Sequence, residues 1–163
     1  MSQHNATVVW NRDEAVFTDN LYSRGHRWIF DGGVEVHASS SPNVVPLPLS
    51  DTAAVDPEEA FVASLSSCHM LWFLSIAAGR GFIVDSYCDE AAGVMGKNEE
   101  GKIAITCVTL RPEALFIGRN LPAGQDIISM HDEAHKKCFI ANSVKTNVLC
   151  EPREASMQIS TVQ

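Results

Sequence analysis

The sequence predicts an α+β protein. Strand-like segments and helices are grouped along it and do not alternate in a βαβ pattern. Hydrophobic residues make up 45% and charged residues 20% of the 163 positions, a globular composition. No repeat, low-complexity tract or linker divides the chain, so residues 1–163 read as a single domain.

The elements follow in order. Thr7–Trp10 is β-rich. Arg27–Phe30, Asp31-Gly32-Gly33 and Val34–Ala38 read as a hairpin, because glycine takes the positive φ such a turn needs. Residues Ser39 to Val55 carry Pro42, Pro46 and Pro48 and read as a loop or lone edge strand. Asp56-Pro57-Glu58-Glu59 is a helix start: an N-cap, a proline at the first helical position, and a glutamate closing a capping box. That helix should run to about Ala78 and stop at Gly79 or Gly81. Its apolar residues cover nearly every face, so it belongs in the centre of something, which in a chain this size can include a second subunit. Phe82–Val94 and Lys102–Leu110 read as two long strands joined by the turn Lys97–Gly101. Arg111 to Pro122 is less regular, with part extending the sheet. Ala123 to Lys137 reads as an amphipathic helix, followed by a short helical piece from Asn142 and strands at Thr146–Leu149 and Met157–Val162.

Charge and cysteine content exclude several classes. Twelve Lys and Arg oppose 20 Asp and Glu, giving −8, which argues against a nucleic-acid partner. The N-terminus lacks a basic stretch followed by an apolar run, so no signal peptide is expected. The longest apolar run, Ala60 to Ala78, is nearly a membrane span in length. It holds Ser64, Ser66, Ser67, Cys68, His69 and Ser75 and reads instead as a buried helix. No membrane partner is expected, and the expected location is cytoplasmic. Five cysteines, without a CxxC pair, do not make an all-paired disulfide framework.

Cys68 falls in mid-helix, beyond the reach of the helix dipole, where burial alone raises a thiol's pKa. It is either a small core residue or a reactive thiol served by a cation from elsewhere. His69 is about 100° round the helix and points away from it. His131, His135 and Cys138 fall within about 60° on one helix face. Two histidines and a cysteine suit zinc. HExxH and a clear fourth ligand are absent, so no metal and no cofactor are expected there. At a helix C-terminus Cys138 is better placed to attack an oxidised sulfur than to act as first nucleophile, or it is structural. Cys88, Cys107 and Cys150 read as packing residues. Arg24 and Arg27 precede the first hairpin, and a guanidinium is the natural partner of a buried thiolate.

Asp56-Pro57-Glu58-Glu59-Ala60-Phe61 with Ser66-Ser67-Cys68-His69-Met70 resembles the "NPEE…AaCf" helix of the OsmC/Ohr family of thiol-dependent peroxidases. Ala134-His135-Lys136-Lys137-Cys138 resembles that family's "AHxxC" segment, and the two cysteines lie 70 residues apart, as in the family. The chain looks more like the OsmC-like branch. Phe139 stands where many relatives have proline, and His69 where an apolar residue is common. The resemblance implies an OsmC-like fold of order β-β-β-α-β-β-α-β, with antiparallel strands around a long buried helix, in an intertwined homodimer. It implies that Cys68 is the peroxidatic cysteine and Cys138 the resolving one. Glu58 matches the family's carboxylate and Arg24 its arginine, with Arg27 the alternative. Glu58 and Cys68 are ten residues apart on one helix, roughly 15 Å. One arginine touches both only if Glu58 and Arg24 reach the Cys68 of a second subunit.

The implied function is reduction of organic hydroperoxides to alcohols through a Cys68 sulfenic acid and a Cys68–Cys138 disulfide, in oxidative stress defence. A small or protein dithiol is the expected reductant. Phe61, Trp72, Phe73 and Phe139 are the candidate walls of an apolar substrate pocket. The alternative is a non-catalytic binder of a hydrophobic ligand on the same fold.

Overall fold

The computed structural model describes residues 2–159. The chain forms two compact units, Met1–Ala60 and Phe61–Gln163.

The first unit is a three-stranded antiparallel sheet of β1 (Ala6–Val9), β2 (His26–Phe30) and β3 (Glu35–Ala38), in that order. The expected hairpin joins β2 to β3, and Gly33 takes φ +82° in its turn. The proline-rich segment after β3 is a loop, tied back by a single bridge between Ala38 and Val55. It leads into α1 (Pro57–Gly79). The capping box forms as the sequence requires: Glu59 N donates to Asp56 Oδ1 at 2.7 Å, and Asp56 N donates to Glu59 Oε2 at 3.2 Å. Gly81, at φ +77°, follows the helix end.

The second unit contains two three-stranded sheets and α2 (Gly124–Lys137). One sheet has the order β4 (Ile83–Asp89), β7 (Pro112–Ile117), β9 (Ser156–Gln158). The other has β5 (Ala92–Lys97), β6 (Ile103–Leu110), β8 (Asn147–Cys150). The β4–β7 and β5–β6 pairs are antiparallel, whereas β7–β9 and β6–β8 are parallel.

The α+β class holds, with corrections to its detail. Four strands, not two, lie between the helices, and two pairings are parallel where antiparallel strands were expected. The reason is a shared corner. Each long extended segment serves both sheets, so 82–94 divides into β4 and β5, and 103–117 into β6 and β7. The corner is hydrogen-bonded across the chain. Arg111 N donates to Asp89 Oδ1 at 2.6 Å, while Glu151 N and Arg153 N donate to Leu110 O and Pro112 O at 2.9 Å each. Residues 160–162 of the last expected strand lie outside the described residues.

α1 is also less buried than its composition suggests. A single stripe, Leu65, His69, Phe73, Ile76 and Ala77, is buried, at the i, i+4 spacing of one helix face. Phe73, Ile76 and Ala77 pack with Ala114 and Phe116 of β7 and with Ile127, Met130 and Ala134 of α2. Leu65 packs with Val108 and Leu110 of β6. Other apolar positions of α1 are uncovered: Leu71 is 62% exposed. The helix has the length and hydropathy of a membrane span, and its buried stripe serves as core.

Candidate active site

Cys68 opens onto a cleft of about 460 Å³ in the second unit. Its walls come from α1, through Leu71, Trp72 and three serines, and from the turn after α2, through Phe139 and Ile140. Trp72 and Phe139 meet edge to face, with ring centroids 5.4 Å apart. Two of the four aromatics expected in the pocket are therefore there. Phe73 and Phe61 are not. Phe73 is fully buried between Phe116 and His131, one helical position and about 100° away from Trp72. Phe61 packs on the Leu65–Val108–Leu110 cluster.

Cys138 terminates α2 as its C-cap, with extended φ −65° and ψ 111°. It is 1% exposed, and Cys68 is near enough to perturb its thiol. Burial first, and then the hydrogen bond and charge of Cys68, push the Cys138 thiol up to about 11. At neutral pH it is a protonated thiol facing Cys68. The backbone N–H of Ala141 donates to its sulfur at 3.4 Å. Both cysteines are free thiols.

Arg24 and Glu58 line a separate cleft of about 560 Å³ in the first unit. Arg24 donates to Tyr22 O, to Asn20 O at 3.2 Å and to Asn20 Oδ1 at 2.8 Å. Its guanidinium lies 3.7 Å from the Tyr22 ring centre. Among the described residues it makes no ion pair with Glu58. Trp10 and Phe17 pack on Tyr22, with centroids 5.3 and 4.8 Å away, and line the same cleft. The sequence reading passed over these three aromatics. Their closeness upstream of Arg24 was the available signal. Arg27, the alternative arginine, is exposed and paired with Glu35 at 3.0 Å, across the β2–β3 hairpin.

His69 does point away from Cys68, and it reaches His131. Their Nε2 and Nδ1 atoms are 3.0 Å apart. Cys150 packs on the Leu65–Val108–Leu110 cluster, as expected, and its Sγ lies 3.7 Å from His69 Nε2. Among the described residues His131 groups with His69 and Cys150, not with His135 and Cys138. Cys88 is exposed on β4, where a packing residue was expected.

The fold, with Cys68 lining an apolar cleft and Cys138 buried nearby, places the chain in a known class. The sequence profile of OsmC-like proteins matches residues 50–153. The chain belongs to the OsmC-like family. It is similar to an OsmC-like protein of unknown function from Vibrio cholerae, at 57% identity over 94% of this chain and 100% of that one, TM-score 0.92. The fold also matches an organic hydroperoxide resistance protein from Elizabethkingia anophelis (16% identity, 97% and 98% covered, TM-score 0.63). It matches another, from Bacillus subtilis (18% identity, 96% and 98% covered, TM-score 0.63). No curated protein matches the chain.

Proposed function

We propose that the protein is a thiol-dependent peroxidase that reduces organic hydroperoxides. The observation that carries this reading is that Cys68 lines an apolar cleft and lies near enough to perturb the Cys138 thiol. Membership of the OsmC-like family supports it, as do the fold relatives named for organic hydroperoxide resistance.

The Cys68 thiolate attacks the outer oxygen of the hydroperoxide. The O–O bond breaks, the departing alkoxide takes a proton to become the alcohol, and Cys68 is left as sulfenic acid. The Cys138 sulfur then displaces hydroxide from it. The Cys138 proton leaves with that hydroxide as water, and a Cys68–Cys138 disulfide forms. A dithiol reduces the disulfide by exchange. Trp72, Phe139 and Leu71 offer apolar surface to an alkyl or aryl chain, which favours organic hydroperoxides over hydrogen peroxide.

In this reading the working unit is a cytoplasmic homodimer. Arg24 and Glu58 of the partner subunit supply the cation and carboxylate for each Cys68. The uncovered apolar positions of α1 support a second copy covering that helix.

Cumene hydroperoxide consumption with a dithiol reductant tests the reading. Wild type should turn over and Cys68→Ser should not. Equal rates for the two sink the peroxidase and leave a hydrophobic-ligand binder. After mild oxidation, peptide mass spectrometry should find Cys68 linked to Cys138, and a Cys88 or Cys107 partner would refute the role of Cys138.

A further inference from the structure

We propose that His69, His131 and Cys150 form a buried site for one thiophilic divalent cation of the Zn2+ kind. The site is separate from the Cys68–Cys138 pair and does not depend on the peroxidase reading.

Three elements converge there: α1 brings His69, α2 brings His131 and the end of β8 brings Cys150. One donor atom from each lies within 4.8 Å of the other two. A tetrahedral zinc ion with bonds of about 2.0 Å to nitrogen and 2.3 Å to sulfur sets N···N edges near ~3.3 Å and N···S edges near ~3.6 Å. The 3.0 Å between the imidazole nitrogens and 3.7 Å from Cys150 Sγ to His69 Nε2 are close to these edges.

In the present state the facing nitrogens are within hydrogen-bond distance. The two rings are parallel within 6° and their centroids are 5.3 Å apart, so the nitrogens meet edge to edge. A cation takes that place once the rings shift and the proton moves to the far nitrogen of the ring that carried it, so that both imidazoles stay neutral and each offers one lone pair. His69 is the ring free to shift: among the described residues its buried Nδ1 has no hydrogen-bond partner, so that nitrogen anchors the ring to nothing. His131 stacks on Phe73, 4.2 Å between centroids and 17° between planes, which holds its ring plane.

The chemistry fits a cation. Burial holds both imidazoles neutral, which is their ligating form. At Cys150, burial first and then the charges of Asp89, Asp132 and Glu151 oppose a bare thiolate, which a bound cation would offset. At His69 the charge of His135 acts against that of Asp89. On binding, the Cys150 S–H gives its proton to solvent and the sulfur bonds the metal. Cys150 is only partly buried, which gives the ion a way in past two closed histidines. Two nitrogens and a thiolate suit zinc or cobalt better than magnesium or calcium.

The test uses the full chain, reduced and stripped with a chelator, then titrated with Co2+ and Zn2+. One Co2+ per chain should bind, with thiolate-to-cobalt charge-transfer absorption that Zn2+ displaces. Cys150→Ala should remove that absorption and weaken binding by roughly tenfold or more, while Cys68→Ser and Cys138→Ser keep both. X-ray absorption at the zinc edge of the wild-type chain should show two nitrogens and one sulfur, a result that needs no variant to fold. Substoichiometric binding overturns the proposal. So does absorption that survives Cys150→Ala or is lost in Cys68→Ser, or a sulfur count of zero or two.

Discussion

At Cys138, burial and a neighbouring sulfur act in the same direction. Both favour the protonated thiol, so its pKa lies near 11, above its ordinary value. The sign of the linkage follows: a raised pKa adds stability below the unfolded-state value, and that stability is lost as pH rises through about 11. Alkylation should report the same property. Labelling of Cys138 by iodoacetamide, followed by mass spectrometry, should stay slow at pH 8 and keep climbing beyond pH 10. In Cys68→Ser the climb should begin at lower pH, because one of the causes is gone. Phe73 illustrates the opposite kind of residue. It is fully buried, and Phe73→Ala should cost about 3–5 kcal/mol, read as a lower midpoint in urea unfolding. The sequence placed Phe73 and Trp72 together as pocket walls because both are aromatic and adjacent. Which one faces the cleft depends on how α1 is rotated against β7 and α2, and composition does not carry that.

Among the elements, those specified locally were legible. The capping box of α1 needs only Asp56 and Glu59, and the β2–β3 turn needs only its glycines. Asp56→Ala should therefore cost about 1 kcal/mol, measurable as a fall in Tm, because one buried cap is lost from a 23-residue helix. The sheets were less legible. The bends after β4, β6 and β8 come from hydrogen bonds between distant segments, such as Asp89 with Arg111 and Glu151 with Leu110. Nothing in 82–94 alone announces that its two halves join different sheets. Cys68 and Cys138 were paired through the resemblance of the two segments that carry them to family motifs. The closeness of His69, His131 and Cys150 was not legible, because these residues lie 62 and 81 positions apart where they meet.

For the whole molecule, the ten residues of α1 between Glu58 and Cys68, roughly 15 Å of helix, bear on assembly. In the proposed homodimer each active centre draws one half from each copy. Light scattering should then give twice the mass of the chain. A mixing experiment is sharper. Cys68→Ser and Arg24→Ala should each be inactive alone, and co-refolded together they should regain about a quarter of wild-type turnover, since half the random dimers carry one intact site of two. Recovery near zero would place both residues in the same subunit's site.

The strand β8 also sets an order of events in the making of the protein. Its parallel pairing with β6 brings Cys150 to a helix residue that left the ribosome 81 positions earlier. Contacts this distant in the chain form late and slowly. Through most of synthesis His69 is thus a histidine without its sulfur neighbour.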